Sequence, residues 1–425
     1  MPNACTKLFT LPILALLTYI VCTYFPSIYS YLPILGKIKA VLIAGIVTLI
    51  SYILTKNNYV YNDAYKDPLF LSLMGFLSAL ILSLLVSWDR GKTLDLTIIN
   101  IKYFLVTAVM VKIIDSSKRL DMFLGFFMAC GVGMALNSII NSFTGQTSID
   151  GGHTRSVAIN IGIFGDPNDL ALLFNATLPF ALFFLVKAKR KSLPLVGILI
   201  LIMGIILTFS RGGFLGLCAV GSGFCIFYGR KKKKYLALLF IVVFLFSKFA
   251  PVGYYERIAT IFNWEVDQET GETGTRMDAW RVAIKEGFKH PVLGVGAGCS
   301  VYMAGGAMND WHLIHNSFIQ VFSESGLLGL FFYLLLFYLP YKQYRAAVRL
   351  KHRVRDMDLL RFSMIVVSLV SYGVTVIFLP QAYSPILYTL AAIAIIQKQL
   401  ISLNDDKSVK ACQPSQDSVR SGCIS

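Results

Sequence analysis

The sequence predicts an all-α polytopic membrane protein of about twelve transmembrane helices, and three observations carry that prediction. Hydrophobic residues fill 56% of the 425 positions and charged residues only 15%, with a mean hydropathy of +0.66. A soluble domain of this length has no core large enough to hide so much apolar surface, so the solvent must be lipid. Apolar runs of roughly 15 to 22 residues, the length a helix needs to cross the hydrocarbon, recur between short charged breaks. The basic residues gather in alternate breaks, as they do where every second loop faces the cytoplasm.

In chain order the first half supplies six spans, at 8–25, 38–54, 69–88, 96–111, 122–140 and 170–186. Lys7 before the first run resembles a secretory signal, but the stretch 24–30 is aromatic-rich and has no small-residue cleavage site, so the run is read as a retained helix. The second half adds 193–207, 214–228, 235–249, 318–339, 364–379 and 386–396. Residues 1–400 then form a single transmembrane domain, and 401–425 a disordered cytoplasmic tail. The net charge of +16 is concentrated at 187–191, 230–234 and 342–361, with Lys56, Lys66, Lys112, Lys118 and Arg119 adding to it. All of these fall on the side that the positive-inside rule assigns to the cytoplasm, together with both termini. Topology thus accounts for the charge, and no nucleic-acid partner is required.

The eight cysteines are scattered through apolar spans, their edges, the first few residues and the polar tail, with Cys299 alone in the large outer loop. Neither a disulfide framework nor metal-ligand spacing emerges. The Asp356-Met357-Asp358 pattern lies in a basic loop, where it reads as a solvated pair on the wrong side for outer-face chemistry. No metal and no cofactor is expected. HPVLGVGAG at 290–298 follows no strand and is followed by no Lys-Ser/Thr, which excludes a nucleotide loop.

One segment breaks the rhythm: about 65 residues at 251–315, an extracytoplasmic loop between the ninth and tenth spans. Tyr254, Tyr255 and Trp264 suit the headgroup level, and 267–274 reads as a surface turn. Thr275-Arg276-Met277-Asp278 has the form of a capping box, which places a helix start there with Arg276 as its first residue. Met277, Trp280, Ile284 and Phe288 then make one apolar stripe suited to the membrane surface. Pro291 ends that helix, and Gly294, Gly296 and Gly298 predict a tight turn closely approached by other backbone. A second outer segment, 141–168, carries His153, Arg155 and Asn168, and all four tryptophans map to the outer face.

Arg211, in Ser210-Arg211-Gly212-Gly213, stands between two apolar spans with almost no loop. A guanidinium there is costly unless it meets an anion or lines a wet cavity; taken alone it is equally an interfacial arginine paired with a local acid. Arg276 at a helix start favours a phosphate, and its plain alternative is an exposed surface arginine. His315 precedes the tenth span, and Asn316, Gln320 and Glu324 follow on one helical face, so a polar stripe enters the membrane. An imidazole can accept a hydroxyl proton near neutrality; an interfacial histidine is its alternative, and His312 is its competitor. Glu324 is equally suited to be a structural partner for an arginine.

Four motifs in register, TFSRGG at 208–213, Arg276-x3-Trp280, HPVLGVGAG at 290–298 and HNSFIQVFSESGLLG at 315–329, resemble the O-antigen ligase and polymerase superfamily. The likeness covers the central and C-terminal two-thirds of the chain, while the first five spans match only in character. It implies a polytopic glycosyltransferase fold in the bacterial inner membrane, with the active site at the periplasmic face. It also implies a polyprenyl-pyrophosphate-linked glycan as donor and metal-independent transfer with inversion. By this resemblance Arg211 and Arg276 hold the donor pyrophosphate, His315 is the general base and Trp280 packs beside the second arginine. Asn316, Gln320, Glu324, Asn168 and His312 are supporting candidates.

The acceptor implied is the lipid A-core, with the growing glycan (a polymerase) or a protein hydroxyl (a protein O-oligosaccharyltransferase) as alternatives. A lipid-linked glycan transporter without chemistry is the different class, but such a protein carries mid-membrane charges on several helices. Deep charges here are few, chiefly Lys102 and Glu324.

Overall fold

The computed structural model describes residues 8–59, 63–145, 147–150, 153–156, 164–228, 272–303 and 314–412. The expected ninth span at 235–249, together with Tyr254, Tyr255, Trp264, Trp311 and His312, lies outside the described residues. So do the side chains of His153, Arg155 and Arg276.

The fold is all-α. In chain order the described helices are α1 (Leu11–Tyr24), the short α2 (Ile28–Tyr31) and α3 (Pro33–Lys37), α4 (Ala40–Thr55), α5 (Pro68–Ser83), α6 (Arg90–Ile113) and α7 (Ser117–Phe143). They continue as α8 (Pro167–Lys187), α9 (Ser192–Leu207), α10 (Arg211–Phe227), α11 (Glu272–Lys289), α12 (Ser317–Arg349), α13 (Asp356–Thr375) and α14 (Pro385–Cys412). Among the described residues six helices are long and apolar enough to cross a membrane, and five shorter apolar ones accompany them. Each matches an expected span. Between α7 and α8 a small antiparallel hairpin, β1 (Thr147–Asp150) with β2 (His153–Ser156), pairs Thr147 with Ser156.

Local chemistry sets the helix ends. Asp67, Asp89, Asp166, Ser210 and Asn316 each cap a following helix by accepting a free backbone N–H, which satisfies donors that lipid cannot. Pro68 and Pro167 take first-turn positions, where no N–H is missed. The apolar windows of α8, α13 and α14 are each 78% buried, against 44% to 50% for α6, α7 and α12. The first three are therefore the protein's centre, and the others turn a face to lipid. α4 shows this plainly, exposing Leu42, Ile43, Ile46, Ile50 and Ile53.

Three readings of the chain are corrected. The basic 342–361 stretch is mostly helix, since α12 runs to Arg349 and α13 starts at Asp356. Asp358 is not solvated but buried; its carboxylate accepts from Arg361 Nη1 at 2.9 Å and Arg355 Nε at 2.7 Å. Arg361 also bonds Asp121 at 2.8 Å and Gln397 at 2.9 Å, tying α7, α13 and α14 together at this end of the bundle. A buried carboxylate needs such partners, and Arg355 at the cap and Arg361 in the second turn of α13 supply them. Finally, α14 continues through Ile401 to Cys412, so the boundary drawn at 400/401 falls inside a helix.

Candidate functional site

The turn before Arg211 is set by Phe209, which adopts the left-handed conformation with φ 51°. A non-glycine residue there is strained, and the reward is an abrupt reversal from α9 into α10. Ser210 accepts the Gly213 N–H at 3.0 Å, making Arg211 the first residue of α10. A Cβ on Gly212 would lie 3.2 Å from the Thr375 carbonyl oxygen, and one on Gly213 2.7 Å from Ala171 Cβ. The paired glycines thus let the first turn of α10 press against α8 and the end of α13. Asn175 of α8 fixes that contact by donating to the Gly213 carbonyl at 2.9 Å. Arg211 itself is half-buried.

His315 is also half-buried, immediately before the cap of α12, where Asn316 Oδ1 accepts from the Phe318 and Ile319 amides at 3.0 and 3.1 Å. The next residue, Ser317, donates to the Leu379 carbonyl at 2.7 Å and accepts the Gln381 N–H at 2.9 Å. Gln381 in turn donates to Asp169 Oδ1 at 2.8 Å, one residue after Asn168 in the first turn of α8. The starts of α8, α10 and α12 and the end of α13 are thereby held at one end of the bundle, opposite the Asp358 network. Arg211, Asn168 and His315 share that end.

The third motif arrives on α11. This helix starts at Glu272, not at Thr275, so Arg276 is one turn inside it rather than its first residue. The capping-box pattern at 275–278 therefore lies inside the helix and does not mark its start. α11 packs on the beginning of α12: a Cβ on Gly287 would meet the Phe322 ring at 2.5 Å, and the Phe288 and Phe322 rings lie 5.3 Å apart. Trp280, four residues after Arg276 and so on the same helical face, packs against a cluster of Ala283, Val295, Cys299, Met303 and Ile314. Ile314 directly precedes His315. Trp280 Nε1 is buried and has no hydrogen-bond partner among the described residues.

The HPVLGVGAG segment explains how α11 is held. α12 is not one continuous span: Gly326 takes φ 66°, ψ −165°, which breaks the helix. The glycine turn fills the break. Val295 and Gly296 amides donate to the Ser323 and Glu324 carbonyls, both at 3.0 Å, and Leu327 N–H donates to the Pro291 carbonyl at 2.7 Å. Gly294 and Gly326 both have positive φ, and a Cβ on either would lie 2.3 Å from backbone of the other segment. The close approach predicted for this turn is therefore made to α12, and Ala297 continues it by donating to Ser83 Oγ at 3.2 Å.

The polar stripe is buried rather than open. Asn316, Gln320 and Glu324 are all buried, and among the described residues Glu324 has no arginine partner. Its carboxylate accepts instead from Tyr383 Oη at 2.6 Å and the Ser300 amide at 3.3 Å, with Gln320 Nε2 at 3.5 Å. A neutral phenol and a peptide N–H satisfy this carboxylate where an arginine was thought equally suitable. At the loop's edge Tyr302 donates to Asp89 Oδ2 at 2.6 Å. That bond holds the Asp89 carboxyl below its ordinary range and raises the Tyr302 phenol above its own. Among the described residues no three His, Cys, Asp or Glu side chains come together as metal ligands would.

Sequence reasoning missed Asp169, Gln381, Ser317 and Tyr383. The signal that could have found two of them is the polar phrase Gln381-Ala382-Tyr383-Ser384, which interrupts the apolar run between the last two spans.

Compared with known families, residues 196–334 match the family model described as O-Antigen ligase. The matched stretch runs from α9 to past the break in α12 and contains Arg211, Arg276, Trp280, His315, Asn316, Gln320 and Glu324. None of the curated proteins matches the chain.

Proposed function

We propose that this chain, whose residues 196–334 match the family model described as O-Antigen ligase, is a glycan-transfer protein of the ligase and polymerase type that moves a polyprenyl-pyrophosphate-linked glycan onto an acceptor hydroxyl, the lipid A-core above all, at the periplasmic face of a bacterial inner membrane. The observation that carries this reading is the shared end of the bundle. The start of α12 is joined through Ser317, Leu379 and Gln381 to the first turn of α8, and the first turn of α10, far away in sequence, packs on the same part of α8 through Gly213.

The acceptor hydroxyl attacks the anomeric carbon of the donor sugar, and His315 takes its proton. A glycosidic bond forms with inversion as the bond from that carbon to the pyrophosphate oxygen breaks. The electron pair leaves with the lipid pyrophosphate, whose charge Arg211 and Arg276 hold. A pyrophosphate leaves without a general acid when cations stabilise it. Trp280 sets the helix that carries Arg276, and Asn316 sets the backbone that carries His315. Asn168 lines the same end, and Gln320 and Glu324 brace the helix below; His312 stands as a second imidazole candidate. The proposed chemistry takes no metal and no cofactor.

The test is transfer by the purified protein in lipid, with a polyprenyl-pyrophosphate glycan and candidate acceptors. His315→Ala should lower the rate by about 10²–10⁴-fold, the usual contribution of a general base, with folding unchanged. Arg211→Ala and Arg276→Ala should weaken use of the donor. Unchanged transfer in the histidine variant would remove the base, and full activity with both arginines replaced would remove the pyrophosphate site. Surface lipopolysaccharide from a deletion strain separates the acceptors. Long polymer left on the carrier means a ligase, single repeat units on the core mean a polymerase, and an unaltered ladder means a protein or another glycan as acceptor.

A further inference from the structure

At some distance in sequence from the motifs above, α1, α4 and α6 enclose a crevice of about 530 Å³ whose lining includes Tyr19, Lys39, Gly45, Lys102, Tyr103 and Val106. That volume is in the range of small-molecule sites. Gly45 gives its floor: a Cβ there would lie 3.7 Å from the Tyr19 ring and 3.8 Å from Val106 Cγ2, so these three stand at one depth. Lys102 is one turn from Val106 on the same face of α6, about 6 Å nearer that helix's N-terminus. Lys39 lies about 9 Å beyond Gly45 in the parallel direction along α4. Both lysines thus stand on the same side of the floor, at comparable height.

Neither lysine belongs there without a reason. Lys102 sits in the middle of a 24-residue apolar helix, about 10 Å from Asp95 and about 15 Å from Lys112. An ammonium at that depth is expensive in hydrocarbon and snorkels only part of the way out. Lys39 holds a left-handed backbone, φ 52°, just before α4, a conformation that glycine or asparagine would take more readily. Both side chains are exposed, and neither forms an ion pair among the described residues. Leu42, Ile46 and Leu105 line the crevice and are also exposed, so among the described residues it opens on an uncovered apolar face, which in a membrane meets lipid.

We propose that this crevice binds one anionic phospholipid of the surrounding bilayer, its phosphodiester between the Lys39 and Lys102 ammonium groups and one acyl chain lying along Gly45 on the apolar floor. Two cations facing one phosphate account for the charge, and apolar walls open to the bilayer account for the tail; a free phosphate would leave those walls unused. The site stands independently of the transfer chemistry.

The experiment is native mass spectrometry of the full-length protein released from detergent with equimolar phosphatidylglycerol and phosphatidylcholine of identical chains. The wild type should retain one phosphatidylglycerol at least tenfold over phosphatidylcholine. The Lys39→Gln/Lys102→Gln variant should lose the preference, Lys37→Gln, outside the crevice, should keep it, and Gly45→Leu should retain less of both lipids. Equal retention of the two headgroups by the wild type overturns the proposal, as does an unchanged preference in the double variant. Displacement of phosphatidylglycerol by substoichiometric polyprenyl phosphate also overturns it, in favour of the carrier lipid.

Discussion

Replacing Gly326 by alanine should be strongly destabilising, because backbone strain and a clash with backbone fall on the same residue. The residue sits at φ 66°, ψ −165°, a region open essentially to glycine alone, and forcing another residue into it costs about 1–3 kcal/mol. The new Cβ would also lie 2.3 Å from both the carbonyl carbon and oxygen of Val292 and 2.7 Å from the Leu293 nitrogen. Those are backbone atoms, which cannot rotate aside, so the glycine turn must move away from the break. Moving it loosens the Leu327 and Val295 amide bonds, at 2.7 and 3.0 Å, each worth about 1 kcal/mol net. Taken together these contributions come to roughly 3–5 kcal/mol. The assay is thermal unfolding in detergent, read by tryptophan fluorescence, with Gly36→Ala as control because nothing lies within 4 Å of its added Cβ. Gly326→Ala should melt on the order of 5 °C or more below the control. Melting at the same temperature as the control would refute the idea that the glycine turn and the broken helix are locked together.

Arg361→Ala strips a buried guanidinium from Asp121, Asp358 and Gln397; leaving the carboxylates behind should destabilise the protein by about 3–5 kcal/mol in the same assay, and a loss below 1 kcal/mol would show that the network contributes nothing. Asp89 is held below the ordinary carboxylate range chiefly by the Tyr302 hydroxyl, so its contribution is present above the unfolded value near pH 3.9 and lost as pH falls through the lower folded value. Tyr302→Phe should therefore move the onset of acid unfolding to higher pH, and an unmoved onset would remove that bond from the account. Ser317→Ala cuts both links to the Leu379–Gln381 segment; transfer activity should fall at least tenfold while melting drops by only about 1–3 kcal/mol, and equal loss in a distant serine such as Ser363→Ala would make the effect nonspecific.

Much of this architecture is legible in the chain because hydropathy and helix length are fixed by the same bilayer thickness. Among the described residues eleven helices therefore sit where apolar runs announce them. The break in α12 is a different matter. The 318–339 run is apolar on both sides of Gly326, and Gly329, three residues on, stays helical. What decides between them is a contact with Val292 and Leu293, and no local pattern records it. The start of α11 is not at Thr275 for a similar reason, since residues 272–274 are already helical and a cap-like phrase reads the same inside a helix as at its end. Asp358 looked solvated because its neighbours are basic; only the continuation of α12 and α13 into that stretch turns those neighbours inward. At the candidate site, Arg211 and His315 were visible as charge where none was needed. Ser317 and Gln381 were not, because a small hydroxyl and an amide carry no such signature until the end of α13 is placed beside them.

A helix interrupted inside a membrane faces a problem of its own, because lipid offers no partner for the peptide groups that the break releases. Here the Ser323 and Glu324 carbonyls and the Leu327 amide are answered by the glycine turn, and Glu324's carboxylate by Tyr383 and Ser300. An uninterrupted α12 would need none of this and would leave the turn, and α11 behind it, free to ride on the surface. Breaking α12 at Gly326 makes the backbone of 291–296 a required part of the bundle and so ties it to α12. Trp280 then packs over Ile314 next to His315, with Arg276 one turn along the same face of α11. The solution to the membrane's hydrogen-bonding demand is thus also what sets the distance between a helix carrying a cation and a turn carrying an imidazole. On this argument the glycines of the 290–298 segment act on the proposed transfer through geometry alone, with no need to touch either substrate.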